Sequence, residues 1–169
     1  MNESNLQLGT SILLPSEDKT SLLARKIADI SSTSTTILLY GEIGAGKTFF
    51  ARKYIQQLLS KHGVIEDVPS PTYTLVQTYQ TPSSEIWHAD LYRLLSTDDL
   101  TELGLSEAFG NEICIVEWPE KLKNYLPVNA IHINFKYHSD TSRICNIMCK
   151  DKKIMNGLKL ISKNFKNEP

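Results

Sequence analysis

Eight consecutive residues, Gly41-Glu42-Ile43-Gly44-Ala45-Gly46-Lys47-Thr48, fit the pattern G-x-x-x-x-G-K-[ST] without a mismatch. The chemistry such a run can do is polyphosphate binding. Its glycines let the backbone turn tightly and aim successive N–H groups inward, a concave anion site reinforced by the N-terminus of the helix that follows. Lys47 would place a point charge on the β- and γ-phosphates, and the Thr48 hydroxyl would ligate Mg²⁺. A metal held in this way needs a carboxylate at the end of a nearby strand. Two segments offer one. Ile113-Cys114-Ile115-Val116-Glu117 is an apolar run ending in an acid, the form of a Walker B element, and Ile86-Trp87-His88-Ala89-Asp90 is a less apolar run that also ends in an acid. At least one of Glu117 and Asp90 is expected to face the metal, directly or through water.

The elements that must position these groups follow from periodicity and punctuation. Leu6–Leu14 reads as an extended lead-in. Ser16 can cap a helix whose first turn carries Glu17 and Asp18, with Leu23, Ile27 and Ile30 on one face. Ile37–Tyr40 is a continuous apolar run, as a strand buried on both faces requires. After the glycine-rich turn, Phe50, Tyr54 and Leu58 recur every four residues in a second helix that ends near Gly63. Thr72–Gln80 and Glu85–Asp90 read as two strands around the turn Thr81-Pro82-Ser83-Ser84. Thr97–Phe109 reads as short helices broken at Gly104, Ile113–Glu117 as a buried strand, Ala130–Tyr137 and Arg143–Cys149 as further strands, and Lys152–Lys163 as a closing helix. Strands alternating with helices around a glycine-rich first turn predict a three-layer α/β domain. The hairpin makes its central sheet mixed, though mainly parallel.

Composition narrows the function classes. A chain of 169 residues with 41% apolar and 22% charged residues can form a single domain with a buried core, here residues 1–169 with a lysine-rich segment at about 150–169. Apolar runs such as Ile37–Tyr40 fall far short of the ~20 residues that a bilayer demands, and the first residues lack the pattern of a secretory signal, so no membrane association is expected. Cys114, Cys145 and Cys149 suit reduced thiols in a cytoplasm, and no second ligand pair accompanies them at zinc spacing. Charge is uneven. Glu85 to Glu120 carries nine acids against Arg93, a balance of −8, whereas Lys150 to Pro169 stands at +4. That acidic middle argues against a protein that grips a nucleic-acid backbone by itself and favours a basic protein partner or a metal–nucleotide site.

The P-loop, followed by SPTYTLVQTY (Ser70–Tyr79), WHADLYRL (Trp87–Leu94), ELGL (Glu102–Leu105) and IVEWPEKL (Ile115–Leu122), resembles the TsaE family, bacterial P-loop ATPases of tRNA threonylcarbamoyladenosine synthesis. The motifs keep the family order and cover about residues 37–122. The resemblance implies a P-loop NTPase fold, with ATP and Mg²⁺ as cofactors. It implies that Thr48 and Glu117 hold the metal, and that Asp90 is a second carboxylate needed for turnover, so that Lys47, Asp90 and Glu117 carry the catalysis. It also implies that Ser70–Thr74 is a switch-like loop facing the γ-phosphate. Docking onto the TsaD–TsaB complex, and contact with tRNA only through that complex, are further implications. Two departures stand out: Glu42-Ile43 replaces the usual Asp-Leu in the loop, and Pro69 stands where a lysine commonly precedes Ser-Pro-Thr.

Other residues have competing roles. Thr72 and Thr74 are candidate γ-phosphate sensors, although threonine also simply suits a strand. Arg93 could pair with a phosphate or with Asp90 or be structural, and Trp118 could pack near the site, at a partner surface or in the core. His88 shares a strand face with Asp90 and reads as a hydrogen-bonded structural histidine more than as a general base. A P-loop kinase of small molecules or nucleotides is the alternative function, but Arg25, Arg52, Arg93 and Arg143 form no arginine-rich lid. A GTPase switch lacks its N-K-x-D motif.

Overall fold

The computed structural model describes residues 8–96 and 99–167. Leu6 and Gln7 of the expected lead-in, Thr97 of the expected helical stretch, and Asp98 and Glu168 of the charge balance lie outside the described residues. In chain order the elements are β1 (Leu8–Leu14), α1 (Glu17–Ile30), β2 (Thr36–Tyr40), α2 (Lys47–Ser60), β3 (Val76–Gln80), β4 (Glu85–Asp90), α3 (Asp99–Glu102), α4 (Leu105–Ala108), β5 (Ile113–Glu117), a 3₁₀ segment (Pro119–Tyr125), β6 (Ala130–Tyr137), β7 (Arg143–Cys149) and α5 (Lys152–Asn167). The seven strands form one sheet in the order β1-β7-β6-β2-β5-β4-β3. Its centre, β6-β2-β5-β4, is parallel, and the flanking pairs β1-β7, β7-β6 and β4-β3 are antiparallel. The mixed α/β sheet expected from the sequence is therefore present, with its parallel part confined to the middle.

Alternation along the strands sorts side chains onto two faces. Ile37 and Leu39 of β2, Ile113 and Ile115 of β5, Ile131, Ile133 and Phe135 of β6, and Cys145, Ile147 and Cys149 of β7 pack under α1, α2 and α5. Leu38, Ala89, Val116 and Ala130 face the other way, covered by Leu100, Leu105 and Leu122 from α3, α4 and the 3₁₀ segment. Helix α1 starts as expected, the Ser16 side chain accepting from the Lys19 N–H. Its far end is welded to α2. The Tyr54 hydroxyl donates to Ser31 Oγ at 2.8 Å and Lys61 Nζ donates to the Ala28 carbonyl at 2.8 Å. Fully buried Phe50 and Tyr54 each add about 1.5–3 kcal/mol of apolar burial to that seam. Among the described residues no helix is long and apolar enough to cross a membrane.

Three expectations need correction. Thr72–Leu75 is a turn, and β3 begins only at Val76. The Leu75 N–H donates to the Pro71 carbonyl at 2.7 Å, which closes the turn and leaves Leu75 in a left-handed conformation with φ 64°. A local hydrogen bond has thus overridden the strand preference of Tyr73 and Thr74. Ile30 does not join Leu23 and Ile27 in the core but sits 40% exposed at the end of α1. Helix α5 runs past Lys163 to Asn167.

Candidate nucleotide and metal site

Parallel strands bring their C-terminal ends to one edge of the sheet, where open α/β folds bind ligands. Here β2 leads into the glycine-rich loop, while Leu39 of β2 and Asp90 of β4 both stand in register with Glu117 of β5. The loop passes close under β6. A Cβ on Gly41 would lie 2.6 Å from the Phe135 carbonyl oxygen, and φ there is 137°. Gly46 caps α2 with φ 108°, a conformation that L side chains rarely adopt. Three carbonyls of the loop, those of Ile43, Gly44 and Ala45, are held by side chains of β6 and β7. Tyr137 Oη donates to Ile43 O at 2.9 Å, and Arg143 donates to Ala45 O at 3.2 Å and to Gly44 O at 3.4 Å. The Arg143 guanidinium also stacks 4.1 Å over the Tyr137 ring.

Lys47 opens α2 and is buried, its Nζ donating to Gly41 O at 2.6 Å and to Glu42 O at 2.8 Å. The same ammonium lies 3.8 Å from the centroid of the Trp118 ring. Burial pushes the Lys47 pKa down, while Glu117, Glu120 and Asp90 oppose that shift by favouring the charged form. Trp118 reaches this position because the chain reverses sharply after β5, with φ 58° at Trp118, and the ring then rests on Tyr92 at 4.9 Å between centroids.

The two acids differ in what holds them. Glu117 is 1% exposed. Thr48 Oγ1 donates to its Oε2 at 2.7 Å, and His88 Nε2 lies 2.9 Å from its Oε1. Asp90 accepts from Thr72 Oγ1 at 2.8 Å and from the Tyr92 N–H at 3.0 Å. Thr72 is thereby drawn into the cleft, whereas Thr74 is exposed and does not line it. Arg93 meets neither acid; its guanidinium lies 5.1 Å from the ring centroid of Tyr73. Cys145 and Cys149 are core thiols on β7, and burial raises both pKa values.

Together these residues enclose a cleft of about 460 Å³ whose lining includes Gly44, Gly46, Lys47, Thr48, Thr72, Asp90, Glu117 and Trp118. A hydroxyl and a carboxylate oxygen 2.7 Å apart are hard donors within reach of one small cation, the set that Mg²⁺ takes when phosphate and water supply its remaining ligands. Among the described residues no three His, Cys, Asp or Glu side chains group into a metal cage of protein ligands alone. The donor set therefore fits Mg²⁺ bound with a phosphate.

The model of the family described as "Threonylcarbamoyl adenosine biosynthesis protein TsaE" matches residues 14–145, most of the chain. The chain belongs to the TsaE family. It is 39% identical over 140 residues to the Rickettsia bellii protein named tRNA threonylcarbamoyladenosine biosynthesis protein TsaE, covering 83% of this chain and 95% of that relative. The Bacillus subtilis protein of the same name is 32% identical over 127 residues, covering 75% of this chain and 77% of the relative. The crystal structure of Bacillus subtilis YdiB has the same fold, with a TM-score of 0.72 at 21% identity, covering 94% of this chain and 97% of that one.

Several residues of this site escape local sequence reasoning. Tyr137 and Arg143 reach the loop from β6 and β7, strands that carry no phosphate motif. Glu17 and Phe49 line the cleft from α1 and α2. A second cavity of about 390 Å³ adjoins the loop on its outer side, between Leu14, Ser16, Thr20 and Phe49 and the Asp140–Arg143 turn. A long-range contact leaves no spacing signal, so the approach of Glu17, Tyr137 and Arg143 to the loop is not legible locally.

Proposed function

We propose that this TsaE-family chain is a Mg²⁺-dependent ATPase, an accessory subunit that works with the TsaD–TsaB complex to form the threonylcarbamoyl group on N6 of the adenosine beside the tRNA anticodon. The observation that carries the reading is the bond between Thr48 and Glu117 beneath a loop whose Ile43, Gly44 and Ala45 carbonyls are held by Tyr137 and Arg143. In this reading the backbone of Gly41, Glu42, Ile43, Gly44, Ala45 and Gly46 wraps the phosphates, the Ala45 N–H giving up its bond to the Glu42 carbonyl, and Lys47 exchanges its bonds to the loop carbonyls for phosphate oxygens. Thr48 and Glu117 hold the magnesium, which when bound neutralises phosphate charge. Asp90, fixed through Tyr92 and Thr72, orients the attacking water. The second cavity receives the nucleoside, with Phe49 and Leu14 as its apolar wall.

Hydrolysis by the lone chain should be slow. Among the described residues lining the cleft Lys47 is the single cation. All four arginines have other contacts: Arg25 binds Ser21, Arg52 binds the Val68 carbonyl, Arg143 holds the loop, and Arg93 lies over Tyr73. Slow P-loop hydrolases can be completed by an arginine that a partner supplies in trans. The acidic surface that would meet a basic partner is smaller than the charge count implies, because Asp90 and Glu117 are buried in the site; Asp99, Glu102, Glu107 and Glu120 remain exposed. The test mixes the purified chain with TsaD–TsaB. The ATPase rate should rise, docking should weaken with salt, and tRNA modification over repeated cycles should fail with Lys47→Ala. A chain that neither bound the complex in any nucleotide state nor affected modification would overturn the partnership. Absence of Mg²⁺-dependent nucleotide binding by calorimetry would overturn the ATPase.

A further inference from the structure

His88 is the one histidine of the chain buried to 0% exposure, and it sits against Glu117, the carboxylate proposed above as the metal ligand. Strand pairing puts His88 of β4 opposite Ile115 of β5, two residues before Glu117 on the same face. From there Nε2 reaches Glu117 Oε1 at 2.9 Å. The other ring nitrogen, Nδ1, is buried with no hydrogen-bond partner. That asymmetry decides the tautomer. A proton on Nδ1 alone would strand a buried donor and leave the Nε2 lone pair facing a carboxylate oxygen, two penalties at once. A proton on Nε2 donates to Glu117 and leaves only a bare acceptor at Nδ1.

We infer that His88 is a positioning residue for the metal site, its Nε2–H holding Glu117 Oε1 so that Oε2 is the oxygen turned to Thr48 and to the cation. The inference rests on reading Glu117 as the metal carboxylate. The geometry divides the carboxylate between two elements. Oε1 is tied to β4 and Oε2 points to α2. Neither oxygen is left to swing, so the carboxylate meets the metal in one orientation and through one oxygen. A glutamate side chain otherwise loses substantial rotamer freedom on being fixed, and His88 makes that loss part of folding instead of part of metal binding. His88 does not line the cleft, so it acts through Glu117 and not on the nucleotide.

The experiment measures nucleotide affinity calorimetrically with and without Mg²⁺ for the unmodified chain, His88→Leu, His88→Gln and His88→Asn. Partners that orient metal ligands are typically worth about 10–100-fold in metal affinity. His88→Leu should lose about that factor from the Mg²⁺-dependent gain while its metal-free nucleotide affinity stays within about 2-fold, the span below which a lost hydrogen bond is not resolved. The Gln side chain can place an amide N–H near the Nε2 position and should recover most of the gain, whereas the shorter Asn should not. Should His88→Leu fail to fold, the Gln and Asn variants decide by themselves. In the unmodified chain the ¹⁵N shifts of His88 should mark Nε2 as the protonated nitrogen. Equal Mg²⁺ dependence in all variants, or metal-free affinity falling in step with metal-bound affinity, would overturn the positioning role alone. An unmodified chain indifferent to Mg²⁺ would overturn the metal reading and this inference with it.

Discussion

The ends of β5 and β4 are neighbours in register, yet they are anchored in opposite ways. Glu117 is bound by Thr48 on α2 and by His88 inside the sheet, both on elements packed into the core. Asp90 is bound by Thr72 and by the backbone of Tyr92, and Thr72 belongs to a turn. That turn is tied down at its base by Arg52 on the Val68 carbonyl, but its tip carries Tyr73 at 87% exposure. Equal chemistry on adjacent strands is thus split into a fixed carboxylate and one coupled to a surface segment. A fixed carboxylate suits holding a cation that must bind the same way each cycle. A coupled one suits a step that a partner can switch, because moving the turn moves the acid's hydrogen bond.

Replacing each acid by its amide should expose the division, since the amide keeps shape and an acceptor while removing charge. Glu117→Gln should abolish the Mg²⁺-dependent part of nucleotide affinity and slow phosphate release by about 100-fold or more, at least the loss seen when groups that merely orient metal ligands are removed. Asp90→Asn should retain the Mg²⁺-dependent affinity and slow turnover by roughly 100-fold or less, near the lower end of what a positioned acid or base contributes. Calorimetry with and without Mg²⁺, together with single-turnover phosphate release, separates affinity from rate. If both variants lost affinity alike, the two strand ends would share one role and the comparison would collapse. Normal turnover in both would move the chemistry elsewhere.

How much of this was legible before the fold depends on the reach of each interaction. Gly41–Thr48 and the acids ending β4 and β5 are encoded locally, by a loop pattern and by apolar runs that stop at a carboxylate. Ser16 as a cap and Gly104 as a break between α3 and α4 are local too. The buttress of the loop is not. Tyr137 and Arg143 lie 94 and 98 residues from the carbonyls they bind, so only the pairing of β6 with β2 and of β7 with β6 brings them there. The Thr72–Leu75 turn is masked in the sequence because Thr and Tyr favour extended backbone, a preference that outweighs the turn signal of Ser70-Pro71 until the bond from Leu75 to Pro71 is seen. Charge counting over Glu85–Glu120 mixed buried site acids with surface acids, a distinction that burial makes and composition cannot. A hydrogen-bonded His88 is legible from its place on the strand, but its partner across the strands follows only from the register of β4 and β5.

Thr72→Val sharpens the comparison at its moving end. It removes one hydroxyl and keeps the branched shape, so the turn closed by Pro71 and Leu75 should persist while Asp90 loses one of its two donors. A hydrogen bond to a charged group contributes about 1.5 kcal/mol at the low end, so turnover should fall roughly 10-fold with Mg²⁺-dependent affinity unchanged. Hydrogen exchange should quicken at the Asp90 and Leu75 amides and stay constant in α2. Turnover equal to the unmodified chain would mean that the turn does not govern Asp90.

Thr74→Val gives the smallest effect and the finest distinction. The two threonines are two residues apart in one motif and were equal candidates on sequence grounds. Thr74 is exposed and absent from the cleft lining, so its hydroxyl has no nucleotide group to reach in this arrangement. For the isolated chain, turnover and nucleotide affinity should change by less than about 2-fold, as expected of a surface substitution within ±0.5 kcal/mol. Thr74 does, however, stand beside Tyr73 at the tip of the turn, the part of the Asp90 assembly that a docking protein would touch. With TsaD–TsaB present, the same substitution should lower the stimulated rate more than the basal one. A basal loss as large as that of Thr72→Val would place both hydroxyls at the phosphate and erase the distinction between an inner and an outer threonine. An unchanged stimulated rate would confine the contact to Tyr73 and the other exposed side chains of the turn.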